Sequence, residues 1–360
     1  MHADEGFAEI SMGNVDYKVT ADTANNYAGG QTTGIDVIKD SQRTSISAKI
    51  DFGEKISIGV TKFLSGSIQM QGGAGSFTSW IPDADADLTT TAILGNYQIS
   101  DGISVLLGAR VDALASTTVS TIKGNYAIAG SSKTRGVLGF SYQIPEIALK
   151  VSATYSPKDT ISAGSSFTET TLMAANPVTY GDAIIANGLG IGANANLLSS
   201  VASYTSTVGL PETLNLEFQT GIAENTLLFG NIVDAKWSKA QIDSNGSAAS
   251  RITTSFADTT SYTVGVGRKI NDNWSLSLSY SQEDGAGAYG SSLFTVSNGS
   301  KSVSLGARYM KENMTLSAGI SMVEVGGVTI TSDGTSTGTQ YAKYGKNSAT
   351  AMGVKIGFSF

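Results

Sequence analysis

Alternation with a period of two residues, repeated from end to end, is what most constrains this chain. At the C-terminus Met352, Val354, Ile356, Phe358 and Phe360 fall on one side, with Gly353, Lys355, Gly357 and Ser359 on the other. Trp274, Leu276, Leu278 and Tyr280 alternate with Ser275, Ser277, Ser279 and Ser281. Val303, Leu305, Ala307 and Tyr309 alternate with Ser304, Gly306 and Arg308, and the stretches from Leu149 to Tyr155 and from Leu214 to Phe218 repeat the pattern. Successive side chains of a strand point opposite ways, so this spacing belongs to strands whose two faces meet different surroundings. One face is apolar throughout. The other is small and polar, with an occasional charge.

The connections restrict the fold further. Short polar turns stand at Gly53-Glu54-Lys55, Ser100-Asp101-Gly102, Ile144-Pro145-Glu146, Ala223-Glu224-Asn225, Asn271-Asp272-Asn273 and Glu312-Asn313. Long segments rich in Gly, Ser, Thr and Asn lie near 21–41, 64–87, 120–133, 157–211, 244–258, 285–300 and 332–346. Six short and seven long connections in strict alternation predict fourteen strands with one trimmed and one elaborated rim. All five prolines (Pro82, Pro145, Pro157, Pro177 and Pro211) fall in connections, as full strand pairing requires. An even number of antiparallel strands, apolar outside and polar inside, predicts an all-β fold: a 14-stranded antiparallel transmembrane β-barrel of the outer membrane. A bilayer forces this closure because it leaves no backbone N–H or C=O unpaired. Trp274, Tyr280, Tyr142, Tyr155, Tyr309, Phe358 and Phe360 are candidates for the interfacial girdles. A soluble β-sandwich also alternates, but not usually with this loop asymmetry, and a solenoid needs a fixed repeat that the sequence lacks. A last strand ending on Phe360 resembles the strand by which outer-membrane proteins meet their assembly machinery; read as a girdle residue instead, Phe360 still requires a membrane.

Composition narrows the chemistry. Charged residues are 15% of the chain, below the roughly one quarter usual for soluble domains. The chain has no cysteine, which removes disulfides, thiolate metal sites and a cysteine nucleophile. Its one histidine is His2, which removes histidine acid–base catalysis and multi-histidine metal sites. Outer-membrane hydrolases depend on a barrel-borne histidine, so the expectation is a protein that is not an enzyme and takes no cofactor. The net charge of −7, without a basic block, excludes nucleic acid as the expected partner. The first residues, with His2, Asp4 and Glu5, do not read as a signal peptide, so an exported chain is expected to have lost one.

Asp83, Asp85 and Asp87 alternate as divalent-metal ligands on a loop would, but no glycine turn and closing Glu follow at calcium-loop spacing, so no metal is expected. Gly265-Val266-Gly267 and the run Gly188-Leu189-Gly190-Ile191-Gly192 lack the strand–turn–helix context of a phosphate loop. The alternation predicts that Lys49, Asp51, Arg110, Asp112, Arg135, Lys150, Glu217, Asp234, Lys236, Arg308 and Lys355 point into the lumen. Cross-strand ion pairs account for most of them. Arg110 and Arg135 are the candidates for a ligand carboxylate, because a guanidinium presents a planar fork. The 157–211 segment is unexpectedly apolar, with Leu172, Met173, Ile184, Ile185, Leu189, Ile191, Leu197 and Leu198. Such a loop needs something greasy to cover: either it forms a groove for a lipid-like ligand, or it packs into the barrel mouth as a cap. The two readings are compatible.

Three stretches carry a family resemblance. Leu210-Pro211-Glu212-Thr213-Leu214-Asn215-Leu216-Glu217, running on to Trp237-Ser238, resembles a Leu-Pro-Glu strand entry and its hairpin. Tyr262-Thr263-Val264-Gly265-Val266-Gly267-Arg268-Lys269-Ile270-Asn271-Asp272-Asn273-Trp274-Ser275 resembles a late hairpin with Asn-Trp after the turn, and Gly353-Val354-Lys355-Ile356-Gly357-Phe358-Ser359-Phe360 a terminal strand. All three are similar to the FadL-type outer-membrane transporters of long-chain fatty acids and other hydrophobic compounds. The resemblance implies an N-terminal hatch, an extracellular groove that captures ligand, an internal pocket and a lateral gap near the third strand. The first strand is expected to begin near Phe7 and no Asn-Pro-Ala motif occurs. The expected organisation is therefore a residual segment at 1–6, with the hatch mostly absent, and one barrel domain over 7–360 whose largest extracellular loop is 157–211. The expected function is passive uptake of hydrophobic molecules, with long-chain fatty acids the first candidate. The expected partners are that ligand, membrane lipid, lipopolysaccharide and the assembly machinery, and the expected state is a monomer. A general porin and a surface adhesin or structural barrel are the alternatives.

Overall fold

The computed structural model describes residues 6–23, 32–73, 79, 81–120, 124–169, 203–243, 254–345 and 347–360. Fourteen strands build the wall: β1 (Phe7–Lys18), β2 (Ser41–Phe52), β3 (Ile56–Gln71), β4 (Asp83–Ser100), β5 (Ile103–Leu114), β6 (Ser131–Ile144) and β7 (Leu149–Ser156), then β8 (Thr213–Ala223), β9 (Thr226–Ala235), β10 (Thr259–Lys269), β11 (Trp274–Glu283), β12 (Ser300–Lys311), β13 (Met314–Val325) and β14 (Asn347–Ser359). Each pairs antiparallel with the next, and β14 closes on β1 from Ser359 opposite Phe7 to Ser348 opposite Lys18. The fold is a closed fourteen-stranded antiparallel barrel.

Pairing and exposure together identify the two faces. Ile93, Leu107, Leu138 and Phe140 on neighbouring strands, and Leu276, Leu305 and Val354 across the ring, all stand exposed on the outside. Leu107 is 61% exposed and Leu305 57%. A continuous band of such residues is stable against hydrocarbon and costly against water. Phe52, Tyr97, Tyr142, Trp274 and Phe358 lie near the short-turn rim, and Tyr155, Tyr262 and Tyr280 near the long-loop rim, all exposed. They form two girdles, and at the first Trp274 lies against Tyr309 with ring centroids 5.0 Å apart and planes tilted by 50°.

The long-loop rim carries a collar. The short strands Thr20–Thr23, Thr32–Asp36, Tyr289–Gly290, Val328–Thr331 and Gln340–Tyr344 make a second sheet, while Thr117–Ser120, Gly124–Ile128, Asp159–Glu169, Tyr204–Leu210 and Ile242–Asp243 prolong the wall. Between them lies the main buried core: Val37, Met70, Ile81, Leu293, Ile330 and Tyr344 are almost completely enclosed. Tyr344 donates from its hydroxyl to the Leu293 carbonyl at 3.3 Å, and burial pushes its phenol well above the usual range.

Several sequence expectations change. The 157–211 segment is strand at both ends, because pairing between Ser156 and Thr213 resumes in the same register at Asp159 opposite Leu210. Pro157 and Pro211 have no N–H to give the ladder, so the sequence reads as a break where the hairpin only pauses. Asp83, Asp85 and Asp87 lie in β4, not in a loop, and Asp85 and Asp87 have separate partners: Lys39 at 3.6 Å and Ser67 at 2.8 Å. Asp234 does not face the lumen. It stands opposite Leu214 and Thr260 in the outward row of Ile232, close to the rim, paired with Lys236 at 2.9 Å.

Candidate lumenal site and wall openings

The lumen has two unlike sides. Over β12, β13, β14 and β1, Gly306, Gly319, Gly353 and Gly13 stand directly opposite one another and leave the inner wall bare. Beside them hydroxyls pair across strands: Ser304 with Ser321 at 2.9 Å, Ser11 with Ser45 at 2.7 Å and Thr263 with Ser281 at 3.0 Å. Small hydroxyls that satisfy one another line a wall without filling the space in front of it. Over β3 to β6 the inward positions carry Phe63, Leu94, Leu106 and Val137, an apolar surface facing the hydroxyl one.

A buried polar cluster sits at the top of that apolar side. Asp112 of β5, fully enclosed, accepts Arg110 Nη2 at 2.6 Å and Arg135 Nε at 2.7 Å. Thr90 Oγ1 lies 2.5 Å from Asp112 Oδ1 and 2.7 Å from Ser65 Oγ, and it accepts Arg110 Nη2 at 2.8 Å. Its one proton goes to the carboxylate, the stronger acceptor. Arg135 reaches further, donating from Nη1 to the carbonyls of Pro157 at 2.9 Å and Pro211 at 2.7 Å. Both candidate arginines are thus brought together, by Asp112. Arg135 is committed to protein acceptors with 3% of its side chain exposed, and Arg110 keeps 17%.

The wall has two interruptions. Pairing of β2 with β3 runs from Phe52 opposite Ile56 to Ser45 opposite Phe63 and stops. It resumes as a single bridge between Ile38 and Met70, supported by Lys39 N–H to the Gln69 carbonyl at 3.2 Å. In that register Asp40 to Thr44 face Leu64 to Ile68 with no backbone pair between them. Ser65 is the extra residue of a bulge against β4, where the register shifts between Leu64 and Gly66; such a bulge bends a strand away from its neighbour. Ser41 Oγ, inside the gap, is buried and has no hydrogen-bond partner among the described residues. A cavity of about 490 Å³ adjoins this window, lined by Arg43, Phe63 and Leu64 on one side and by Gly13, Gly319 and Gly353 on the other.

The second interruption is between β6 and β7. Pairing ends at Leu138 opposite Tyr155 and resumes, in the same register, at Ile128 opposite Ser165. Side chains fill the seam: Ser131 Oγ donates to the Ser162 carbonyl at 2.7 Å, Lys133 meets Asp159 at 3.2 Å, and the Arg135 guanidinium reaches Pro157. The Thr160 backbone N–H, then Lys133, hold the Asp159 carboxyl below the usual carboxylate range.

The closed fourteen-stranded barrel recurs in solved structures. The chain has the fold of the FadL-type outer-membrane barrels. A Pseudomonas aeruginosa FadL homologue superposes with a TM-score of 0.76 at 12% identity, over 99% of this chain and 91% of that one. The Pseudomonas putida toluene transporter TodX gives 0.62 at 11% identity, and the Ralstonia pickettii toluene transporter TbuX 0.60 at 12%, each over 99% of this chain and 90% of the other. No protein-family profile and no curated protein matches the sequence.

Leu172, Met173, Ile184, Ile185, Leu189, Ile191, Leu197 and Leu198 lie outside the described residues. Sequence reasoning missed Ser65, Thr90 and the role of Asp112 as a hub. Alternation marks Thr90 and Asp112 as inward, but nothing local marks either as a partner of the other.

Proposed function

We propose that the chain is an outer-membrane channel for passive uptake of small hydrophobic molecules, with long-chain fatty acids the first ligands to test. The observation that carries this reading is the β2–β3 window, opening from a lumenal cavity through a wall whose outer face is apolar. A hydrophobic solute leaving there passes from the cavity into the bilayer without crossing water, so its transfer is downhill at each step. The fold shared with toluene transporters and a FadL homologue supports the same reading. The apolar residues of the 157–211 segment would supply the capture groove on the extracellular side. Arg110, the more open of the two arginines, is the one suited to meet a carboxylate.

The test uses the absence of cysteine from the sequence. The variant Gln42→Cys/Ser67→Cys places two thiols on the same outer face, one on each edge of the window. Oxidation should abolish uptake of labelled oleate by cells making the protein, and a reductant should restore it. Uptake that continues through the cross-linked window sinks the lateral route. The hydroxyl-lined half of the lumen favours a second reading, a general porin; a large steady conductance in planar bilayers would support it.

A further inference from the structure

A continuous line of hydrogen bonds runs from one interruption of the wall to the other around the inside of the barrel, through strands that are otherwise regularly paired. Ser65, the bulge residue at the β2–β3 window, lies 2.7 Å from Thr90 on β4. Thr90 lies 2.5 Å from Asp112 on β5, and Asp112 accepts Arg135 of β6 at 2.7 Å. Arg135 ends the line on the carbonyls of Pro157 and Pro211, which flank the pause in the β7–β8 hairpin. Thr90 and Asp112 are fully enclosed and Arg135 nearly so. Ser65 Oγ also lies 3.0 Å from the carbonyl of Leu88, which pairs with Gly66 beside the bulge; with the Thr90 proton on Asp112, the one proton of Ser65 goes to Thr90 Oγ1.

We propose that Arg135 is a positioning residue for transport: it closes the β6–β7 seam and, through Asp112 and Thr90, holds the Ser65 bulge that keeps the β2–β3 window in shape. The inference rests on the uptake reading above. Proline explains why a side chain is needed at the seam. Pro157 and Pro211 cannot donate, so their carbonyls lie in a stretch where the ladder is broken, and a carbonyl buried without a donor is costly. A guanidinium supplies two donors from one nitrogen and a third to the carboxylate that anchors it; an ammonium lacks this planar fork. The seam is thereby shut by a side chain instead of a ladder, while the window on the other side of β3 to β6 has no such closure among the described residues. A solute that enters the lumen therefore meets one sealed and one open interruption, and the same residue bears on both.

The line can be cut in two places with different expected results. Thr90→Val removes the hydroxyl between Ser65 and Asp112 but leaves Arg135 on Asp112 and on the proline carbonyls. Spin labels at Gln42→Cys and Ser67→Cys should then report a shifted or broadened distance across the window, with uptake reduced. A maleimide should still fail to reach Ser156→Cys at the seam. Thr90→Ser, which keeps the hydroxyl, should restore both the distance and the uptake. Arg135→Lys should change both sites, with labelling of Ser156→Cys faster by roughly tenfold, the scale that loss of a buried hydrogen bond permits. A disulfide between Val137→Cys and Ser156→Cys, which stand opposite each other in the β6–β7 register, should then restore closure of the seam without restoring the window distance.

If Thr90→Val leaves the window distance and uptake as in wild type, the link between the two sites is wrong. If Arg135→Lys leaves Ser156→Cys as protected as in wild type, the seal is wrong. If the wild-type protein takes up no hydrophobic solute at all, the uptake reading fails instead, and the label distances still test the link.

Discussion

Asp112 Oδ2 accepts the Arg135 Nε at 2.7 Å, joining β5 to β6 where Asp112 is fully enclosed and Arg135 nearly so. The same carboxylate holds Arg110, so one negative charge neutralises part of two positive ones inside the barrel. Removing it leaves two guanidiniums with an unmet charge.

Asp112→Asn should therefore be among the most damaging single changes in the wall. Breaking a buried pair costs about 3–5 kcal/mol, since the surviving charge loses its partner. Thermal unfolding of the detergent-solubilised barrel measures it, and Asp112→Asn/Arg110→Met should recover part of the loss. An Asp112→Asn barrel as stable as wild type would show that Asp112 is not a hub.

The glycine row should accept side chains where the wall leaves room. A Cβ at Gly319 comes no closer than 3.4 Å to the Leu305 carbonyl oxygen, and at Gly353 no closer than 3.4 Å to that of Met12. Gly319→Leu should fold with a stability change within about 1 kcal/mol of wild type while filling the cavity and cutting uptake severalfold. Gly230→Ala is the opposite case, because its Cβ would collide with the Thr263 carbonyl oxygen and the Phe218 ring. It should lower the yield of folded protein without projecting into the lumen.

Neighbouring positions of one strand should differ sharply in their tolerance of charge. Leu305→Lys places an ammonium on the lipid face, at a cost of roughly 2–4 kcal/mol at the bilayer midplane. Ser304→Lys, one residue away, enters the lumen and should cost little. Folding into lipid vesicles, followed by gel mobility before and after heating, separates the two.

Acid should loosen the extension beyond the prolines before it disturbs the wall. The Asp159 carboxyl is held low by the Thr160 N–H and by Lys133, so this contact stabilises the folded chain above the carboxyl's ordinary range. The contribution is lost as pH falls through the depressed folded value, below about pH 4. Limited proteolysis within 157–211 should accelerate on that side only, and Asp159→Asn should be equally susceptible at neutral pH.

The wall was legible because each strand declares its faces locally, as Trp274 and Ser275 do, and because the bilayer and the lumen impose the same two demands on every strand. The window was less so. Ser65 is a bulge only by its register against β4, and Leu64 to Gln71 reads as loop because the strand there no longer alternates cleanly. Asp234 alternates correctly for a lumenal residue if the strand is counted from the wrong neighbour; its partner Leu214 settles the face. The polar cluster was hidden for another reason. Ser65, Thr90, Asp112 and Arg135 lie on four strands, and only pairing brings them into line.

The enclosed core of the collar, with Met70, Ile81, Leu293 and Tyr344, has a consequence for how the molecule comes apart. That core is held as a water-soluble domain is held, by the expulsion of water from apolar surface, and urea acts on it directly. The wall is held by closed backbone pairing in hydrocarbon, which urea does not enter. Mouth and wall are thus two materials joined along one set of strands, with separate melting behaviour: a mouth that loosens in denaturant while the ring below it stays closed.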